Sequence, residues 1–152
     1  MQLLFVCTGN TCRSAMAEAI ARKLIQDDPT QYANIGVTSA GVMCAGPSAA
    51  SPNAILAAEQ NQCDLTNHVA KQITEPLLEQ ADYVFVMTRS HKQMLERAFP
   101  QHRDKIFLLS AYAEGNPDAT DVLDPYGGNL AIYLNCFASL KEYVTSVLQK
   151  LK

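Results

Sequence analysis

The sequence has no excess of positive charge, no long apolar run and no leader-like beginning. Its 152 residues carry a formal net charge of −3, so we expect no basic surface for nucleic acid. No apolar run approaches the length that crosses a membrane. The pattern of a secretory signal, a basic segment followed by an apolar core and a cleavage site, is absent as well. We therefore expect a cytoplasmic protein with neither nucleic acid nor membrane as a partner.

Disulfide and zinc patterns are also missing. The five cysteines are an odd number in a chain too large to need a disulfide framework. Cys7 and Cys12 form a close pair, but a zinc site of this kind needs a second pair, which the sequence lacks. We expect free thiols, no metal and no cofactor, and we assign no role to Cys44, Cys63 or Cys136.

Short apolar runs alternate with amphipathic segments along the chain. They predict strands at residues 2–6, 35–41, 82–87 and 105–109. They predict helices at residues 15–26, 51–62, 74–79, 90–99 (capped by Ser90) and 129–152, with a loop at 113–125. This order favours an α/β fold: a three-layer, doubly wound, four-stranded parallel sheet with helices on both faces. Because there is no repeat or linker, we predict one domain over residues 1–152.

The first predicted loop has the sequence CTGNTCRS at residues 7–14 and joins a strand to a helix. Its N–H groups and the first N–H groups of the helix converge where the helix dipole favours an anion. Neither G-x-G-x-x-G nor G-x-x-x-x-G-K-[ST] is present, which argues against nucleotide binding. Gly9 allows close approach of the backbone to an anion, and Asn10 tolerates a left-handed conformation. The loop also lies at the carboxyl end of a strand, where parallel sheets bind ligands.

Cys7 and Arg13 point to a chemical role for this loop. Helix-terminal N–H groups and a neighbouring arginine stabilise a thiolate, and Ser14 can donate a hydrogen bond to the sulfur. The planar guanidinium of Arg13 matches two phosphate oxygens. In a purely structural alternative Cys7 is a buried thiol and Arg13 a solvated residue, but a cation at a helix N-terminus is unfavourable without an anion. We infer that Cys7 is a nucleophile aimed at a phosphate that Arg13 holds.

The motif Cys-x5-Arg-Ser, directly after an N-terminal apolar strand, resembles the low-molecular-weight protein tyrosine phosphatase family. The similarity continues with TSAG at residues 38–41, NHVAKQI at 67–73 and DPYG at 124–127, so it spans most of the chain. The resemblance implies the doubly wound four-stranded fold and a phosphocysteine mechanism without a metal.

The resemblance also implies roles for single residues. It makes Cys7 the nucleophile, Arg13 the phosphate clamp and Asp124 the general acid. The phosphate-binding loop would contain Thr8, Gly9, Asn10, Thr11, Cys12 and Ser14. A supporting hydrogen-bond network would join Asn10 and Ser14 to Ser39 and His68. Cys12 would cap Cys7 reversibly as a disulfide, unless it is only a small residue packed under the loop.

A general acid is needed because alkoxide and amide groups leave poorly. Asp118, Asp121 and Asp124 all lie near one another in the sequence, and a loop aspartate by itself is usually a solvated turn residue. The resemblance favours Asp124, with Asp121 in reserve. After phosphoryl transfer the same carboxylate would activate water to hydrolyse the phosphocysteine.

Two features bear on the substrate. The common loop of the family has a branched aliphatic residue where this chain has Thr11, and Gly127 and Gly128 follow Tyr126 where the family has a further aromatic. Both departures resemble the protein-arginine phosphatase branch, so we favour phosphoarginine over phosphotyrosine, with Thr11 and Tyr126 as specificity residues. A smaller, more polar wall at Thr11 would suit a guanidinium, with which Asp124 would pair. A neutral exchange of Thr for Ile is the alternative.

We expect phosphorylated proteins as substrates, and inorganic phosphate or similar oxyanions in the site. An arsenate reductase would need two further thiols near the crevice, and residues 88–97 contain no cysteine. A non-catalytic phosphate-binding adaptor would need neither Cys7 nor Asp124.

Overall fold

Four parallel strands form the centre of the structure, a computed structural model that describes residues 1–152. The strands are β1 (Gln2–Cys7), β2 (Gly36–Gly41), β3 (Tyr83–Val86) and β4 (Ile106–Leu108), in the spatial order β2-β1-β3-β4. The helices are α1 (Arg13–Asp27), α2 (Pro52–Gln60), α3 (Glu75–Gln80), α4 (Arg89–Ala98), α5 (Leu109–Glu114) and α6 (Leu130–Leu151). A 3₁₀ turn at Pro100–Lys105 precedes β4.

Alternate residues of β1 enter two different cores, because successive side chains of a strand point to opposite faces. Leu3 and Phe5 belong to the larger core, which also contains buried residues of α1 and α6. Leu4 and Val6 belong to the smaller core, with Leu78 of α3 and Leu95 of α4. Helices therefore cover both faces of the sheet, and the predicted three-layer α/β fold is confirmed.

The last helix follows its predicted pattern. Asn129 caps it, since its side chain accepts a hydrogen bond of 3.0 Å from the N–H of Ile132. Its buried residues recur at helical spacing and are Tyr133, Phe137, Leu140, Val144, Val147 and Leu148. They pack in the same core as the buried face of α1, the helix that begins at the end of the CTGNTCRS stretch at residues 7–14. No helix is both long enough and apolar enough to span a bilayer.

Two predictions about the elements were wrong. Thr88, not Ser90, caps α4: its Oγ1 accepts a hydrogen bond of 3.1 Å from the N–H of His91, and Ser90 lies inside the first turn. β4 ends at Leu108, and α5 occupies part of the predicted strand and loop. With six residues, α5 is too short for a helical period to show, and Gly115 ends it in a left-handed conformation with φ of 64°.

The sheet order determines where a ligand can bind. β1 and β3 are adjacent in the sheet, and the connection that leaves β1 runs to β2 on one side while the connection that leaves β3 runs to β4 on the other. A crevice forms at the carboxyl ends of parallel strands where the strand order reverses in this way. Cys7 is the last residue of β1 and therefore lies at this crevice.

Candidate active site

The loop between β1 and α1 borders a cavity of about 230 Å³. The backbone turns at Asn10, which is left-handed with φ of 60°, a conformation that asparagine adopts more readily than most residues. The cavity is lined by Cys7, Thr8, Gly9, Thr11, Cys12, Arg13, Asp124 and Tyr126. The structure thus brings the predicted nucleophile, phosphate clamp and general acid to one small cavity.

Cys7 and Ser14 are in direct contact. Cys7 is 2% exposed, and its Sγ lies 2.9 Å from Oγ of Ser14. Nδ2 of Asn10 donates to the same Oγ at 2.8 Å, so the serine proton is available to the sulfur or to the backbone oxygen of Ala40, which lies farther away at 3.5 Å. A thiolate has no proton of its own and only accepts hydrogen bonds, so this arrangement is suited to the ionised form of Cys7.

Asn10 organises the loop by using all of its side-chain hydrogen-bonding groups. Its Nδ2 donates to Oγ of Ser39 at 2.9 Å, and its Oδ1 accepts from the N–H of Lys71 at 3.0 Å. Its backbone oxygen lies 2.7 Å from Nε2 of His68. Ser39 in turn donates to Oε1 of Glu18 at 2.7 Å. The structure thus joins all the predicted supporting residues and adds Lys71 and Glu18, which sequence reasoning missed.

Arg13 is buried, with 4% of its surface exposed, as the first residue of α1. Its Nη1 donates to the backbone oxygen of Val122 at 3.0 Å, and its Nη2 donates to Oγ1 of Thr8 at 3.3 Å. Its Nε is buried without a hydrogen-bond partner in the protein. A buried cation with an unused donor at the edge of a cavity fits the binding of an oxyanion.

Asp124 is the only one of the three candidate acids that lines this cavity. Its Oδ2 lies 3.5 Å from Nη2 of Arg13, and its Oδ1 accepts a hydrogen bond of 3.1 Å from the N–H of Tyr126. Asp121 instead accepts hydrogen bonds from the backbone N–H and the guanidinium of Arg89, at 3.0 and 3.2 Å. Asp118 is exposed in a turn.

The proposed specificity and redox residues occupy the cavity wall. Thr11 is half-buried, and Tyr126 is 77% exposed at the rim. Cys12 is buried, and its Sγ lies 3.0 Å from Oγ of Ser51 and 3.3 Å from the hydroxyl of Tyr133. Burial, followed by the hydrogen bond with Cys12, raises the pKa of Tyr133 to about 12, so this hydroxyl keeps its proton at neutral pH.

His91 is a site neighbour to which sequence reasoning assigned no role. Its Nε2 lies 2.9 Å from Oγ1 of Thr8. Burial, and then the nearby charge of Arg13, lower the pKa of His91 to about 4, so the ring is neutral at pH 7. The sequence could have indicated His91 through its position, since it lies in the first turn of the helix that follows β3, and β3 is adjacent to β1 in the sheet.

Known proteins resemble this chain both in sequence and in structure. Residues 2–152 match the family model described as low molecular weight phosphotyrosine protein phosphatase. The chain is 41% identical to a protein-arginine-phosphatase of Bacillus subtilis, over 100% of this chain and 97% of that protein. It is 36% identical to the low molecular weight protein-tyrosine-phosphatase PtpB of Staphylococcus haemolyticus, over 92% of each. Among solved structures, a YwlE arginine phosphatase mutant with a phosphorylated active site serine has a TM-score of 0.91 and 39% identity, over 99% of this chain and 95% of that one.

Proposed function

Because the chain belongs to the low molecular weight phosphotyrosine protein phosphatase family, we propose that it hydrolyses phosphorylated protein side chains through a phosphocysteine on Cys7. It is a cysteine-dependent protein phosphatase. The observation that carries the assignment of residues is that Cys7, Arg13 and Asp124 line one cavity of about 230 Å³. The relative that carries phosphate on an active site serine supports a covalent intermediate.

The first step transfers the phosphoryl group to the enzyme. The thiolate of Cys7 attacks phosphorus, and an S–P bond forms while the P–O or P–N bond to the substrate side chain breaks. Arg13 and the loop N–H groups hold the phosphoryl oxygens, and the carboxyl of Asp124 gives its proton to the departing oxygen or nitrogen. A tyrosine side chain leaves as the neutral phenol, and an arginine side chain leaves as the guanidinium cation.

The second step regenerates the thiolate. Water attacks the phosphorus, the S–P bond breaks and inorganic phosphate leaves, while the carboxylate of Asp124 accepts the proton of the water. Ser14, whose Oγ lies 2.9 Å from Sγ of Cys7, stabilises the departing thiolate. Ser39 and His68 hold Asn10, which in turn orients Ser14. These steps use no metal and no cofactor.

Phosphoarginine is the substrate that we propose. Thr11, a β-branched residue with a hydroxyl group, lines the cavity. Once Asp124 has given its proton to the leaving group, its carboxylate pairs with the departing guanidinium. Two relatives bear the name protein-arginine-phosphatase, at 41% and 33% identity. The chain therefore combines a polar wall with an acid placed to pair with the cation.

Phosphotyrosine is the second candidate. The relative PtpB is described as a protein-tyrosine-phosphatase and is 36% identical over 92% of this chain. The ring of Tyr126 is 77% exposed at the cavity rim, where it offers a surface against which a substrate ring would stack.

The deciding experiment compares kcat/KM for matched peptides that carry phosphoarginine or phosphotyrosine, with the wild type and with Thr11→Ile. We expect the wild type to prefer phosphoarginine and Thr11→Ile to shift the ratio towards phosphotyrosine. Thr120→Ile serves as the matched control, since Thr120 is exposed and lies outside this cavity. An unchanged ratio in Thr11→Ile would remove Thr11 from the specificity assignment.

Turnover of para-nitrophenyl phosphate tests the catalytic residues separately. We expect steady hydrolysis by the wild type and loss of hydrolysis in Cys7→Ser, whereas an adaptor would bind phosphate without any turnover. We further propose a cytoplasmic location, with phosphorylated proteins as partners and inorganic phosphate as the released oxyanion. All five cysteines are free in the structure, which suits a reducing compartment.

A further inference from the structure

His91 is buried beside the phosphate-binding loop, and none of the proposed steps uses it. Only 4% of its surface is exposed. Its backbone N–H donates to Oγ1 of Thr88, the cap of α4, at 3.1 Å, so the start of the helix determines the position of the ring. From there Nε2 reaches to 2.9 Å from Oγ1 of Thr8. The contact links α4 to the loop that carries Cys7.

The tautomer of His91 follows from its surroundings. The ring is neutral at pH 7, because burial lowers its pKa to about 4, and therefore it carries one proton. Nδ1 is buried without a hydrogen-bond partner. An N–H buried without an acceptor is rarer and more costly than a bare lone pair. The proton therefore lies on Nε2, and His91 donates to Oγ1 of Thr8.

The hydroxyl of Thr8 then has only its own proton left for a further hydrogen bond. A hydroxyl accepts two hydrogen bonds and donates one. Oγ1 of Thr8 accepts from Nε2 of His91 and also from Nη2 of Arg13, at 3.3 Å. Its own proton must point elsewhere. Thr8 is exposed and lines the same cavity as Cys7 and Asp124.

We propose that His91 is a positioning residue that makes the hydroxyl of Thr8 a hydrogen-bond donor for a phosphoryl oxygen in the cavity. The inference rests on the proposed function, since the phosphoryl group is the ligand that Thr8 contacts. His91 does not touch the substrate. The ring donates to Oγ1 of Thr8 and so occupies one of its two acceptor positions. The same Oγ1 accepts from Nη2 of Arg13, so the ring orders both groups that would donate to the anion, the hydroxyl of Thr8 and the guanidinium of Arg13.

The test measures the affinity for inorganic phosphate by titration calorimetry. The proteins compared are the wild type, Thr8→Val, His91→Leu, His91→Gln and the double variant Thr8→Val/His91→Leu.

Thr8→Val keeps the shape of threonine without the hydroxyl. We expect it to bind phosphate about tenfold more weakly, because it loses a hydrogen bond to a charged ligand. His91→Leu should weaken binding by about three- to tenfold, and the double variant should bind like Thr8→Val alone, because His91 acts through Thr8. The amide of His91→Gln can donate from near the position of Nε2, and should restore most of the affinity.

Wild-type phosphate affinity in His91→Leu would overturn the inference, and so would losses that add in the double variant. If the role of His91 were only structural, both His91→Leu and His91→Gln would unfold at a lower temperature, and His91→Gln would not recover the phosphate affinity. His91→Asn, whose shorter amide does not reach Thr8, replaces His91→Leu if the latter does not fold. Failure of the proposed function appears differently, as a wild type that binds phosphate but does not hydrolyse para-nitrophenyl phosphate.

Discussion

Nη2 of Arg13 lies 3.5 Å from Oδ2 of Asp124, and this contact joins the first residue of α1 to the loop before α6. The side chain of Arg13 is 5% exposed and that of Asp124 is 50% exposed. A half-exposed ion pair contributes little to stability. Its significance is positional, because it holds a carboxyl group beside the residue that we propose as the phosphate clamp.

Asp124→Asn should lower kcat strongly and leave KM nearly unchanged. An amide cannot give a proton to the leaving group, and general acid catalysis contributes roughly 100- to 10,000-fold. The loss should be smaller for para-nitrophenyl phosphate than for phosphorylated peptides, because nitrophenolate leaves well without a proton. Steady-state kinetics on both substrates measure the difference. Asp121→Asn is the comparison, since Asp121 pairs with Arg89, and a larger loss there would transfer the acid role to Asp121.

Gly41→Ala should displace the backbone of the loop between β1 and α1, which we propose binds phosphate. A Cβ at Gly41 would lie 2.5 Å from the backbone oxygen of Thr8 and 3.0 Å from the N–H nitrogen of Asn10, so the loop backbone would have to shift. We expect a loss of about 1–3 kcal/mol in the free energy of unfolding and at least tenfold in kcat/KM, since such small displacements disturb catalysis. Gly36→Ala in the same strand is the control, because its Cβ would meet only the flexible side chain of Gln2. Equal effects in both variants would contradict the expectation.

The burial of His91 should make stability depend on pH. Its pKa is about 4 in the folded protein, against 6.5 for an ordinary histidine, so the unfolded chain binds the proton more tightly. The stabilisation is present above pH 6.5 and is lost as the pH falls towards 4, by up to about 3 kcal/mol. Arg13 opposes the charged ring, whereas Asp121 and Asp124 favour it. Urea unfolding of the wild type and His91→Gln between pH 4.5 and 7.5 should show a shallower slope in the variant, and identical slopes would argue against a buried neutral His91.

Cys12 should protect the nucleophile from irreversible oxidation. Peroxide converts the thiolate of Cys7 to a sulfenic acid, which condenses with the thiol of Cys12 to a disulfide and water. We expect dithiothreitol to restore activity in the wild type but not in Cys12→Ser. Cys136→Ser is the control, since burial raises the pKa of Cys136 to about 12 and keeps that thiol inert. Equal recovery in Cys12→Ser would leave Cys12 a packing residue.

Much of the fold was readable from the sequence because its signals are local. The continuous apolar run within residues 2–6 predicted a buried strand, and the helical spacing of apolar residues along α6 predicted a half-buried helix. α5 was not predicted because its six residues are too few to show a helical period. The cap of α4 was misplaced for a similar reason, since Thr88 and Ser90 are both good capping residues and only the hydrogen bond from His91 distinguishes them.

The site divides in the same way. The sequence by itself determined the anion loop, because Cys7, Arg13 and Ser14 come from one stretch in which a strand, a turn and a helix start impose their mutual placement. Only the tertiary structure decided which aspartate faces Arg13 and which histidine supports Thr8. Apart from the family resemblance of the DPYG stretch, the sequence does not distinguish Asp121 from Asp124. In the structure Arg89 pairs with Asp121, whereas Asp124 accepts a hydrogen bond from the N–H of Tyr126 and lines the cavity. These contacts join residues far apart in the chain, and only the packing of separate strands and helices brings them together.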